Sequence, residues 1–171
     1  MILPATSDVF RFDAFPEMVA TADGVVVARV VDMRPSPTLT TDAGPYRQWL
    51  VHLELDDVVY GSGVEPALDL VVDEVFINPQ LEAAGRAWWR AGTRVVVFLY
   101  RWDDGLLRPL NSHSVYIVAG TDLRPVHDGG LAGTIGGWSL DELRAKTAEA
   151  AALVAAGAVT PQPMRLPGQA P

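Results

Sequence analysis

The chain has 171 residues, 49% of them hydrophobic, which suits a single domain with one well-buried core. Twenty-one acidic residues against 13 basic ones give a formal net charge of −8, which opposes attraction to phosphate backbones and anionic membranes and makes nucleic acid an unfavoured partner. Cysteine is absent, which removes disulfides, thiolate metal sites and thiol nucleophiles, and no apolar run approaches the ~20 residues of a membrane span.

Residues 1–12 show no basic stretch followed by an apolar one, so no signal peptide is expected and the segment is read as an N-terminal extension. Asp13 is the expected N-cap of a short helix through Glu17, Met18 and Ala22, with Pro16 tolerated in the first turn and Asp23-Gly24 ending it. The β-branched run Val25–Val31 predicts a first strand apolar on both faces. Arg34–Tyr46, with Pro35, Pro37, Gly44 and Pro45, predicts an exposed, mobile loop.

From Trp49 the chain alternates, with Trp49, Val51, Leu53 and Leu55 on one face and Gln48, His52, Glu54 and Asp56 on the other, which predicts a half-exposed second strand. A turn at Gly61-Ser62-Gly63 leads to a third strand with Leu68, Leu70, Val72 and Phe76 inward and Asp69 and Asp73 outward. A short helical turn is expected within Leu81–Ala87. A fourth strand follows over Thr93–Trp102 with a turn at Asp103-Asp104-Gly105, and a fifth at Val115–Val118 with a start as early as Leu110. Residues 129–138 read as a glycine-rich flexible linker. Ser139-Leu140-Asp141-Glu142 matches a capping box and opens a helix over residues 139–157, with Leu140, Leu143, Thr147, Ala151 and Val154 on one face and Gly157 as its stop. Residues 158–171, rich in proline and nearly uncharged, predict a disordered tail.

The expected fold is therefore mainly β. It is a five-stranded OB-like Greek-key barrel over residues 13–128, with a short N-terminal helix and a C-terminal amphipathic helix packed on it.

Chemistry-bearing residues are sparse. His52, Glu54 and Asp56 share a strand face at a spacing that suits a divalent cation, but strand alternation alone explains them, and no metal or other cofactor is expected. Ser112, His113 and Asp128 form a serine triad only on paper, with no Gly-x-Ser-x-Gly elbow, and no catalytic residue is assigned. The run Gly129–Gly137 lacks the Gly-Lys-Ser/Thr of a phosphate loop. The aromatic residues Tyr46, Trp88, Trp89 and Trp102 flank Arg86, Arg90 and Arg94, a mixture that makes protein hot spots or stacks sugars and bases. Those seven residues are the candidate binding surface, set against the plainer alternative that Trp88 and Trp89 cover one end of the barrel.

Three segments, Glu17–Val30, Leu53–Gly61 and Arg90–Leu99, carry a resemblance to bacterial domains related to the netrin and tissue-inhibitor-of-metalloproteinases OB-fold. It spans roughly residues 14–126. The resemblance implies a five-stranded barrel, a non-enzymatic binding role and a position outside the cytoplasm. It does not carry over protease inhibition, since the animal inhibitors chelate zinc through an N-terminal cysteine that this chain lacks, nor the basic tail of netrin modules. The leading expectation is a non-enzymatic protein-interaction module. An oligosaccharide- or oligonucleotide-binding barrel comes second, and a metal-dependent or serine hydrolase third.

Overall fold

A computed structural model describes residues 9–36, 39–41 and 44–164, with the side chains of 39–41 and 44–46 outside the description. The first long strand, β1 (Gly24–Pro35), organises the rest. It runs antiparallel to β4 (Gln48–Tyr60) along one edge and to β6 (Arg94–Arg101) along the other. Both faces of its first half are apolar because both are covered. Val26, Ala28 and Val30 line the barrel interior with Val51, Leu53, Leu70, Val95 and Val97, while Val25 and Val27 face a second core with Val96 and Phe98. Register shifts at Val25/Val26, Val27/Ala28 and Val30/Asp32 coil the long β1–β4 ribbon, as bulges do.

β4 turns into β5 (Ala67–Asp73), antiparallel from Gln48↔Asp73 to Glu54↔Ala67. After β5 come a 3-10 turn at Glu74–Ile77 and helix α2 (Pro79–Ala83), capped by the Asn78 side chain accepting from the Gln80 N–H. The fifth barrel strand is split. β7 (Leu107–Pro109) pairs with β6 at Leu99–Arg101 and β8 (Val115–Ala119) pairs with it at Val95–Val97. Between them Asn111–Ser114 form a bulged turn in which the Ser114 hydroxyl donates to the Asn111 carbonyl at 2.6 Å. The barrel order is β1-β4-β5-β7-β6 and back to β1, closed by one parallel pair, Leu70↔Leu107. The mainly β, closed five-stranded barrel expected from the sequence is present.

Beyond that seam β5 and β8 do not pair, and Trp88 is buried in the barrel core. Its indole is 0% exposed, lies edge-on to Phe76 and donates from Nε1 to the Phe76 carbonyl at 3.1 Å. His127 approaches the same phenyl ring from another side. A further strand, β9 (Asp122–Pro125), pairs with β8, and its outer edge is covered where the Leu123 N–H donates to the Trp138 carbonyl and the Leu123 carbonyl accepts from the Gly137 N–H.

The outer core lies under α1 (Phe15–Thr21) and α4 (Leu140–Ala155). The α1 N-cap is Ala14, one residue past the expected Asp13, and no side chain caps it. The N-terminal segment is not a mere extension, because Val9, Phe10 and Phe12 are buried in this core. The predicted capping box at Ser139 and Glu142 is formed. The buried stripe of α4 is Leu143, Thr147 and Ala150, turned slightly from the expected one.

Four expectations are corrected. β1 extends to Pro35, and Leu39–Thr41 (β2) and Gly44–Tyr46 (β3) pair as a two-stranded ribbon where a loop was expected. Pro35 fits because β6 ends opposite Arg29, so that edge of β1 has no ladder to supply with N–H groups. Gln48 and Asp73 are buried, paired at 3.2 Å. The glycine run holds a short helix, α3 (Ala132–Ile135), whose Ala132 and Ile135 are buried, so it is folded into the core. The start of the tail docks on α1, with the Gln162 N–H donating to Thr21 Oγ1 and its Nε2 to Glu17 Oε2. Residues 165–171 lie outside the described part.

Two outcomes follow. Trp88→Ala opens a large cavity and removes the donor of the Phe76 carbonyl, so a loss of about 3–5 kcal/mol is expected in urea unfolding. A loss under about 1 kcal/mol would show that Trp88 is not part of the barrel core. Thr147 is buried with no hydrogen-bond partner for its hydroxyl among the described residues, so Thr147→Val is expected to stabilise by about 1 kcal/mol.

Candidate functional site

The β4–β5 and β6–β7 turns stand on either side of a cleft of about 880 Å³, within the usual range for a ligand site. Local chemistry builds each wall.

The β4–β5 wall rests on Gly61. Its φ of +97° favours glycine, and a Cβ there would lie 2.4 Å from the Asp23 carbonyl oxygen, so only glycine lets this turn close onto the start of β1. Asp23 in turn ties β1 to β6, its N–H donating to the Leu99 carbonyl at 2.9 Å and its Oδ2 accepting from the Arg101 N–H at 2.6 Å. Asp23, together with burial and Asp103, pushes the Tyr100 phenol upward, burial being the larger cause.

The opposite wall is the turn from Trp102 to Leu106. Trp102 N–H donates to the Leu106 carbonyl, Gly105 N–H to the Trp102 carbonyl, and Arg101 Nη1 to the Gly105 carbonyl at 2.7 Å. Asp104 accepts from the Leu106 N–H and, bidentately, from Arg108 at 2.9 and 2.8 Å. The Arg108 guanidinium also lies 4.9 Å over the Trp102 ring. Leu106, 46% exposed, is carried at the tip of this wall.

Leu68, Leu99 and Leu107 give the cleft apolar lining. Its rim is polar, with Asp23, Glu65 and Asp69 against the single guanidinium of Arg101. His52 lies beside Asp69, with Nδ1 and Oδ1 at 2.8 Å, and the imidazole must be the donor because a carboxylate only accepts. Arg34 holds the other oxygen of Asp69 at 3.1 Å.

Of the residues singled out from the sequence only His52 lines the cleft, while Trp102 begins the turn that forms its opposite wall. Trp88 is corrected from a contact residue to a core residue, since its indole has no exposed surface. Trp89 is half-buried against the barrel core and Trp102 against the outer one. The arginines are not a shared basic patch. Arg86 pairs with Asp128 at 2.8 Å, Arg90 with Glu82, and Arg94 with Asp56 at 2.8 Å, each neutralised locally. Tyr46 is on β3 opposite Leu39, and its side chain lies outside the described part.

His52, Glu54 and Asp56 do not converge, since His52 turns to Asp69 while Asp56 is taken by Arg94 and Arg29. No group of three histidine or acidic side chains suited to a metal occurs among the described residues. The Ser112, His113 and Asp128 triad is not assembled either. Asp128 is ion-paired to Arg86, and the His113 ring lies flat against Gly129 and Gly130, where a Cβ at Gly129 would come within 2.9 Å of its Nε2. The cleft residues that sequence reasoning missed are Asp23, Glu65, Asp69, Arg101 and Leu106. Their one signal was the pair of glycine turns, which marks hairpins but does not show that two hairpins face each other.

No family model matches the chain, and no curated protein matches it.

Arg108 holds the Asp104 carboxyl below its ordinary value of 3.8, against an opposing desolvation cost, with a lesser contribution from the Leu106 N–H. A carboxyl lowered on folding contributes stability that is complete above the ordinary value and lost as pH falls through the folded one. Asp104→Asn is therefore expected to cost up to about 1 kcal/mol at neutral pH, the carboxylate being half exposed, with the gap closing in acid below 3.8. Urea unfolding of both proteins across that range measures it. A gap that persists unchanged in acid would mean that the ion pair is not its source.

Proposed function

We propose that this chain is a non-enzymatic interaction module that binds a protein partner in the cleft between its β4–β5 and β6–β7 turns. The observation that carries this is the placement of the cleft. It lies over the second and third barrel strands and beside the turn between the fourth and fifth, the position that OB-type barrels use for their ligands. Leucine lining with a charged rim is the make-up of a protein contact. The resemblance to netrin-type domains points to the same class and to a place outside the cytoplasm. No described helix is long and apolar enough to cross a membrane.

An oligosaccharide-binding barrel is the second reading, favoured by Tyr60 and the glycine turn Gly61–Gly63 beside the polar groups of His52, Asp69 and Asp23 in the same cleft. Nucleic acid fits poorly with a rim of three carboxylates and a net charge of −8.

A photo-crosslinking amino acid placed at Leu106, and separately at Arg90, tests the location in native-host extract. Discrete protein adducts from position 106 and none from position 90 are expected. Adducts from position 90 alone would return the contact surface to the Arg86–Arg94 region, and glycan adducts at position 106 would favour the second reading.

A further inference from the structure

We infer that the cleft takes its ligand by strand addition: an extended polypeptide segment, alternating apolar and basic side chains, pairs with the open edge of β5 at Ala67–Asp69. This rests on the cleft being the binding site. It adds the mode of binding and the chemistry of the bound segment.

The register of β5 makes the case. One edge is paired with β4 along its whole length, from Ala67 to Asp73. The other meets β7 at Leu70↔Leu107 alone. Because that contact is parallel, the residues preceding Leu70 face those preceding Leu107, and these form the tight turn at Asp103–Leu106, whose hydrogen bonds are internal. On the cleft side of β5 only Ala67 and the Asp69 N–H are therefore without a ladder partner among the described residues, since Leu68 pairs with Leu53 of β4 and the parallel contact turns the Asp69 carbonyl to the Leu107 N–H.

Other edges of the sheet are handled differently. The outer edge of β9 is covered by Gly137–Ser139. β1 beyond Val30 carries Asp32, Arg34 and Pro35, which discourage pairing. The β5 edge is uncovered, carries Asp69 as its one charged residue, and opens onto the cleft. Backbone pairing there supplies affinity, and alternate side chains supply selectivity.

The lining gives the selectivity. On an added strand, side chains alternate between the two faces. One set meets the leucine-lined interior at Leu68, Leu99 and Leu107, and the other meets Asp23, Glu65 and Asp69. Asp69 is held by Arg34 and His52, so Asp23 and Glu65 against the one guanidinium of Arg101 select lysine or arginine at the second set and disfavour acidic segments.

The test selects random heptapeptides on the immobilised full chain, then titrates the best synthetic heptapeptide into the ¹⁵N-labelled full chain. Expected are heptapeptides alternating apolar residues with lysine or arginine, and amide shifts centred on Ala67–Asp69. N-methylation of alternate peptide amides is expected to weaken binding at least tenfold. Leu106→Lys, a change at an exposed position, is expected to weaken it at least fivefold, while Arg90→Ala leaves it unchanged.

Equal binding of the N-methylated peptide, with shifts at residues 61–65 and 103–106 but none at 67–69, overturns strand addition and leaves the cleft as the site. Shifts lying wholly outside the cleft overturn both. Enrichment of acidic peptides, or of none while a neutral oligosaccharide shifts the cleft amides, overturns the peptide ligand.

Discussion

The barrel closes through one parallel residue pair, Leu70↔Leu107, and most of what is distinctive in the molecule follows from how little that pair closes. Two strands that meet at one point must part on either side of it. On the side of the turns that precede the two residues lies the cleft, while Trp88, with Phe76 beside it, is buried in the barrel core.

The same economy sets the electrostatics. A chain with net charge −8 still has 13 basic residues, and most arginines are spent singly against an acidic neighbour: Arg86 with Asp128, Arg94 with Asp56, Arg108 with Asp104 and Arg144 with Asp57. Such exposed pairs stabilise little individually. Their larger effect is to leave no basic patch where the sequence clusters its arginines, so the uncompensated charge is acidic and part of it lines the cleft.

This explains which features were legible in the sequence. β1, β4, β5 and β6 were, because strand period and β-branched runs are local signals, and the capping box at Ser139 was, because four adjacent residues make it. The burial of Trp88 was legible only as the alternative to a contact surface, because a tryptophan beside arginines looks alike on a surface and in a core. Asn111–Ser114 hid the split fifth strand, since a bulged turn and a strand end share the same residue types. The glycine run misled because short helices with little polar surface can be held by burial of two residues, here Ala132 and Ile135, where intrinsic propensity would not hold them. The cleft was illegible because its walls come from residues 61–65 and 103–106, about forty positions apart.

An open strand edge is ordinarily a hazard, because it invites pairing with any exposed strand, including that of a second copy. Its retention at β5 is tolerable for a specific reason. The open edge amounts to Ala67 and the Asp69 N–H and lies between two turns. Its neighbours Asp23 and Glu65 repel a chain whose own surface is acidic. A second copy would bring like charge to the cleft, whereas a basic extended segment would bring the opposite. On the proposed reading, the charge that disfavours a second copy in the cleft is also the charge that admits a basic segment, and protection and recognition need no separate device.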